Sequence, residues 1–254
     1  METLQSAIDA FIPIDLKEMD AVALLDRTDT KYLFHISKLP LLLQGLQPLY
    51  RMLEVKGIRQ NKYESHYFDD DNCTFYHMHH NKFGKRFKVR YRKYVDSAIS
   101  FFEIKKKINT NRTIKKRIPT QEIGCAVTGE EKAFFEKITH LNADVLHPTV
   151  RVDYTRLTLV SNDLTERATF DLHIAFKNNG HTKSFDELVI VEVKQNKIDH
   201  SSPVIRQLKN MHITEASLSK YCMGVYQLYD NVKKNNFKPQ AHNLSKILKN
   251  KTWS

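Results

Sequence analysis

Lysine and arginine spaced two apart on a strand present a row of fixed positive charge. Such a row suits phosphate, because an arginine's planar fork donates to two phosphate oxygens at once and never loses its charge. The row is densest between residues 85 and 119, KRFKVRYRKYVDSAISFFEIKKKINTNRTIKKRIP, where thirteen basic residues face only Asp96 and Glu103. That excess of eleven equals the formal net charge of the whole chain, +11, so the positive field is concentrated and points to a polyanionic partner. Lys88, Arg90 and Arg92 fall on one face of a strand, with Phe87, Val89, Tyr91 and Val95 on the other. Glu103, Lys105 and Lys107 repeat the arrangement against Phe102, Ile104 and Ile108. A disordered basic tail would carry no such alternation.

Fixed cations recur at Arg156 and Arg167, where a solvated strand face would mix in Ser, Thr and Gln. Glu and Lys also stand two apart in FEIK (Glu103, Lys105) and in VEVK (Glu192, Lys194). A carboxylate flanked by cations on one strand face can hold a divalent metal while its neighbours hold the metal's phosphate ligands. Half-buried antiparallel sheets alternate in the same way, so the pattern alone leaves open whether the charged faces meet solvent or one another.

The elements that must position these residues are legible in outline. Residues 14–25 carry Leu16, Met19 and Ala23 at helical spacing, and 27–34 alternates as a first strand with Arg27, Asp29, Lys31 and Leu33 on one face. Ser37 is placed to cap a helix over 37–46. Strands are expected at 50–58, 63–68 and 112–118, a helix at 73–84 closed by Gly84, and a helix at 129–141 with Phe134, Ile138 and Leu141 on one face. Strand patterns return at 149–160, 167–176 and 184–195. Pro203 opens a helix with Val204, Ile205, Leu208 and Met211, and a last helix holds Leu218, Tyr221, Cys222, Val225 and Tyr229 in register. About eight strands with a few helices make an α+β fold on a largely antiparallel sheet or closed barrel.

A chain of 254 residues with 41% hydrophobic content supports a substantial core. Cys73, Cys125 and Cys222 are odd in number, far apart and without a CxxC pair, so neither a disulfide framework nor a zinc knuckle is suggested, which suits a reducing compartment. No stretch reads as a signal peptide or membrane span, so the expectation is a soluble, cytoplasmic protein. One domain over 1–254 is expected, with 232–254 a peripheral basic tail, solvated or a loose helix.

In order along residues 13 to 229, the pieces RTDTKYLF, VRYRKY, FFEIKKK, VDYTRLTLV, RATFD, VIVEVK and SLSKYCMG resemble the VTC domain. This is the polyphosphate polymerase branch of the triphosphate tunnel metalloenzymes, the CYTH-like superfamily. The resemblance implies an antiparallel β-barrel with flanking helices whose charged side chains point into a tunnel. It implies catalytic roles for Lys31, Arg90, Arg92, Lys105, Arg156, Arg167 and Lys220. Arg27, Lys88, Lys107, Lys194 and Ser219 would add substrate contacts. Glu192 would bind Mn²⁺ or Mg²⁺, with Glu103 the second candidate. The implied reaction transfers the γ-phosphate of a nucleoside triphosphate such as ATP to a growing polyphosphate or pyrophosphate chain. No nucleic acid is implied, and a separate membrane protein that receives the polymer would place the chain at the inner face of the membrane. Two departures stand out. Related triphosphatases and cyclases begin with an ExExK strand, where this chain has Arg27, Asp29 and Lys31. Eukaryotic polymerases carry a lysine where Ser217 stands.

Rival readings use the same residues: an inorganic triphosphatase, a non-catalytic polyphosphate or nucleotide sensor, and an RNA binder that stacks bases on KVRYRKY. The chain lacks an RNP-like glycine-aromatic motif. His77, His79 and His80 read as a surface cluster, Cys222 as core, and Asp171 as a partner for Arg167. Lys93, Lys106 and Lys115 to Arg117 read as field at the tunnel mouth.

Overall fold

The structure, a computed structural model, describes residues 3–20, 28–108, 113–196, 199 and 201–249. Eleven strands among them form one sheet: β1 (Pro13–Ile14), β2 (Thr28–His35), β3 (Tyr50–Leu53), β4 (Asn61–Asp69), β5 (Arg86–Tyr94), β6 (Ile99–Lys107), β7 (Thr113–Thr120), β8 (His147–Ser161), β9 (Glu166–Asn178), β10 (His181–Phe185) and β11 (Leu188–Gln195). The order is β2-β11-β9-β8-β4-β5-β6-β7, antiparallel throughout, with β10 on β9, β3 on β8, and β1 parallel to β3. The two ends of this order come back toward each other. Asp29 and Lys31 of β2 face the same cavity as Lys88 of β5 and Lys105 and Lys107 of β6. The sheet is therefore curled into a barrel, with no β2–β7 ladder among the described residues.

The alternation that makes the strands amphipathic sends apolar side chains to the convex face, where helices cover them. Val189, Val191, Val193, Phe170 and Leu157 pack under α1 (Leu4–Asp9), α3 (Leu39–Leu46) and α6 (Pro203–Asn210). Phe87 and Phe102 pack under α4 (Thr74–His80) and α5 (Gly129–Thr139) through Phe75, Phe134 and Phe135. Phe135 has no exposed surface, and burying a side chain of that kind contributes roughly 1.5–3 kcal/mol.

The concave face is divided. Leu33, Ile190, Ile174, Phe176, Val150 and Val152 make one half apolar, and α7 (Lys220–Leu228) fills it with Tyr221, Cys222 and Val225. The other half is charged.

Several expectations are corrected. Residues 14–25 are a short strand followed by α2 (Leu16–Asp20), and the expected span runs into residues outside the described set. Ser37 lies in a single 3-10 turn, and α3 starts two residues later with Pro40 in its first turn and no side-chain cap. The 73–84 helix stops at His80, four residues short of Gly84. On α5 the buried residues are Phe135 and Thr139, while Phe134 and Ile138 are partly buried and Leu141, past the helix end, is exposed. The 184–195 run is two strands because a turn at Asp186 and Glu187 separates β10 from β11. Residues 238–249 form α8 (Lys238–Lys249), anchored by buried Leu244 and by Phe237 just before it.

Candidate active site

The charged half of the concave face is built one strand at a time by side chains two apart. Register places Arg90 opposite Glu103 and Lys88 opposite Lys105 on β5 and β6, Lys31 opposite Glu192 on β2 and β11, and Arg167 opposite Lys194 on β9 and β11. A cavity of about 490 Å³ opens among Lys31, Lys88, Lys105 and Lys107, roofed by residues 215–219 ahead of α7. Lys88, Lys105 and Lys107 form no ion pair among the described residues. Burial and the neighbouring Lys88 push the Lys105 ammonium below its ordinary value, with Glu192 and Asp29 opposing.

Along the lumen from these lysines, cations are held by buried acids. Arg90 donates through Nε and Nη2 to Glu103 Oε2 at 2.8 and 2.5 Å, and through Nη1 to the Tyr67 hydroxyl at 2.9 Å. Lys115 reaches from β7 to Glu103 Oε1 at 2.6 Å. Arg156 grips Asp171 in a two-pronged pair at 2.6 and 2.9 Å, and Lys220 closes on Asp171 from the first turn of α7. Arg92 donates to Ser65 Oγ at 3.3 Å and lies over the Tyr63 ring. Burial raises the Asp171 carboxyl, but Arg156 and Lys220 outweigh it and bring it down to about 2. Burial also raises the Tyr67 hydroxyl, yet Arg90, Arg92, Lys88 and Lys220 hold it below its ordinary value.

Glu192 stands between Lys31 at 3.1 Å and Lys194 at 2.6 Å, and Asp29 lies 3.8 Å from the same Lys194 nitrogen. Burial would raise its carboxyl, but Lys194 and Lys31 keep it well below the ordinary range, so it is ionised and available to a cation. No three His, Cys, Asp or Glu side chains converge as a metal cage among the described residues. That donor set fits Mg²⁺ or Mn²⁺, which takes one or two carboxylates and completes its octahedron with phosphate oxygens and water. Glu103 does not fit: it is 2% exposed, and its two oxygens are engaged by Arg90 and Lys115.

The remaining expected residues fall as follows. Ser219 borders the cavity, but its hydroxyl caps α7 by accepting from the Cys222 N–H. Ser217 also lines the cavity. Arg27 lies outside the described residues.

Asp171 holds Arg156 and Lys220, not Arg167. Asp171 shares the lumen face with Arg167 and Thr169 by plain alternation, and register sets it opposite Arg156 on β8; the irregularity between Asp153 and Thr155, with His173 at φ 50°, comes after it and turns Ile174 and Phe176 to the lumen. Lys115 is a lumen residue, and Lys106 packs on the convex face, donating to the Ile138 carbonyl at 3.1 Å. The histidines are not a surface cluster. His80 is 4% exposed and accepts the Asn236 N–H, and His79 bonds the Phe87 carbonyl. Tyr91, which an RNA reading needs for stacking, is 2% exposed and covered on the convex face. Sequence reasoning missed Tyr63, Tyr67 and Tyr154, whose rings lie beside Arg92, Arg90, Arg156 and Lys220. Their lumen placement follows from facing Tyr154, Val150 and the β5 arginines in register, a signal only pairing reveals.

Among solved structures, the chain is similar to a Bacillus halodurans protein provisionally assigned as an adenylate cyclase, at 12% identity and a TM-score of 0.52. That likeness covers 81% of this chain and 100% of that one. It is also similar to HpAC1 from Hippeastrum, described as a provisional adenylyl cyclase with a dominant triphosphatase activity. There the identity is 10% and the TM-score 0.50, covering 80% of this chain and 98% of that one. Both likenesses concern the fold. No curated protein sequence matches. The family model of the VTC domain matches residues 26–229, the span that builds every charged strand of the lumen, and the chain belongs to the VTC domain family.

Proposed function

We propose that this chain is a metal-dependent phosphotransferase of the polyphosphate polymerase kind, using a nucleoside triphosphate as donor. The observation that carries this reading is the convergence of Lys31, Lys88, Arg90, Arg92, Lys105, Lys107, Arg156 and Lys220 on one concave sheet face, with an ionised Glu192 in its wall.

In the reaction, a terminal oxygen of the polyphosphate chain attacks the γ-phosphorus. The new P–O–P bond forms as the bond from γ-phosphorus to the bridging oxygen breaks, and the diphosphate leaves with that electron pair. Little covalent work falls to the protein, so positioning and charge stabilisation carry the rate. Arg90 and Arg92 would orient the donor's phosphates by paired N–H donation, Arg156 and Lys220 would meet the charge spread over the transferred oxygens, and Lys88, Lys105 and Lys107 would hold the acceptor chain. Glu192, with Asp29 beside it, would hold Mg²⁺ or Mn²⁺, which supplies neutralisation of phosphate charge when bound.

Incubation of purified chain with ATP and Mn²⁺ is expected to yield polyphosphate on a gel together with ADP, and Arg90→Ala to lower the rate at least about a hundredfold. Absence of polymer across metals and primers would overturn the polymerase reading. An inorganic triphosphatase is the second reading, carried by the fold shared with the Hippeastrum protein. Phosphate release from tripolyphosphate without chain growth would favour it.

A further inference from the structure

The lumen face carries, beside its cations, a run of aromatic rings that phosphate does not need. Tyr63, Tyr94 and Phe101 sit on the lumen sides of the adjacent strands β4, β5 and β6, Tyr63 directly opposite Tyr94 and Phe101 diagonal to it. Ring centroids are 4.9 Å apart for Tyr63 and Tyr94 and 6.0 Å apart, edge to face, for Tyr94 and Phe101. The row ends on β7, where the Arg117 guanidinium lies 4.2 Å from the Phe101 centroid. At its inner end Arg92 and Arg156 stand over Tyr63, at 5.6 and 5.0 Å. Exposure grades along the row: Tyr63 is 9% exposed, Tyr94 and Phe101 are partly exposed, and Arg117 is exposed.

Packing accounts for the aromatic rings on the convex face, where helices cover them. Phe101 belongs to none of the apolar cores. Its pairing partner across the strands is Arg92, so the ring stands beside a position built to hold phosphate.

We propose that this row is a nucleobase subsite. The base of a nucleoside triphosphate stacks on Phe101 with Tyr94 at its edge and Arg117 beside it, and the triphosphate runs inward to Arg92 and Arg156. The inference rests on the triphosphate reading of the lumen and adds which part of the substrate lies at which end. Inorganic polyphosphate has no π-face and gains nothing from this row, whereas every nucleobase gains by stacking on an aromatic ring or a guanidinium. Such stacking tolerates any base, so the row would select for the presence of a base and not for its identity.

The test is calorimetry with two probes, ATP and inorganic tripolyphosphate, in EDTA to prevent turnover. The full chain is compared with Phe101→Leu, which keeps apolar volume without the ring, and with Arg117→Ala, an exposed position the fold does not depend on. Each variant is expected to bind ATP about tenfold more weakly and tripolyphosphate within about twofold of the parent. Unchanged ATP affinity in both variants, or equal losses for both probes, overturns the subsite. If the parent chain binds neither probe, the triphosphate reading of the lumen falls, and the subsite with it.

Discussion

Lys115 crosses to β6 to hold Glu103 at 2.6 Å, and burial, opposed by Glu103, pushes its ammonium down to about 8. An unfolded lysine titrates at about 10.4. Below pH 8 the group is charged in both states and the fold bears the cost of burying it. Between about 8 and 10.4 only the unfolded chain keeps the proton, so this residue makes stability rise with pH across that window. Polyanion binding follows the opposite trend, because the lumen loses a cation as Lys115 deprotonates. ATP affinity, measured in EDTA, is expected to fall roughly fivefold between pH 7 and pH 9, where the nucleotide's own phosphates, with their last proton lost at about pH 6, stay ionised. Lys115→Arg should flatten that profile, since a guanidinium keeps its charge. A variant that titrates as steeply as the parent would assign the effect elsewhere.

At the scale of elements, the position of α7 decides the shape of the lumen. Its first turn is fixed by the Ser219 cap and by the Tyr221 hydroxyl, which donates to Asp69; Asp69 also accepts the Phe75 and Tyr76 N–H groups of α4. Lys220 is thereby aimed at Asp171. Close approach to the sheet requires glycine at 224, where a Cβ would lie 2.6 Å from Val150 Cγ1 and 3.1 Å from Phe176 Cδ1. Gly224→Ala should therefore cost about 1–3 kcal/mol of overpacking, more than the roughly 1 kcal/mol alanine returns as a better helix former. A lower urea midpoint with weaker ATP binding is expected, and a variant as stable as the parent would show that the helix has room to shift. This element also marks the limit of what the residues disclose in one dimension. Opposite chemistry on the two faces of β5 and β6 is legible from alternation alone, and Arg90, Arg92, Lys105 and Glu103 share a face as expected. The apolar stripe on α7 is equally legible, but a stripe fits either side of a sheet, so its place inside the barrel was not. Asp171, expected to hold Arg167, and Lys115, expected at the tunnel mouth, have other roles for a related reason. Asp171 takes its partners from β8 and from α7, and Lys115 takes its partner from the next strand.

For the whole molecule, the excess of +11 has a thermodynamic consequence, because several of its cations face one cavity. Glu103 and Asp171, both buried, and half-buried Glu192 offset their immediate neighbours, while Lys88, Lys105 and Lys107 face the cavity together. Besides burial, Lys88 and Lys31 both push the Lys105 ammonium downward, so the lysines of the lumen repel one another. A bound polyanion replaces that repulsion with attraction, and at a hundred times its Kd it adds about 2.7 kcal/mol to stability. Salt should therefore act with opposite sign on the two states. Raising NaCl from 10 to 150 mM shortens the screening length from about 30 to about 8 Å. The thermal midpoint of the free chain is expected to rise over that step as repulsion is screened, and that of the chain saturated with tripolyphosphate to fall as attraction is screened. Differential scanning fluorimetry reads both. A free-chain midpoint that falls with salt would mean that the paired acids already dominate the lumen, leaving too little uncompensated charge to draw a polyphosphate chain inside.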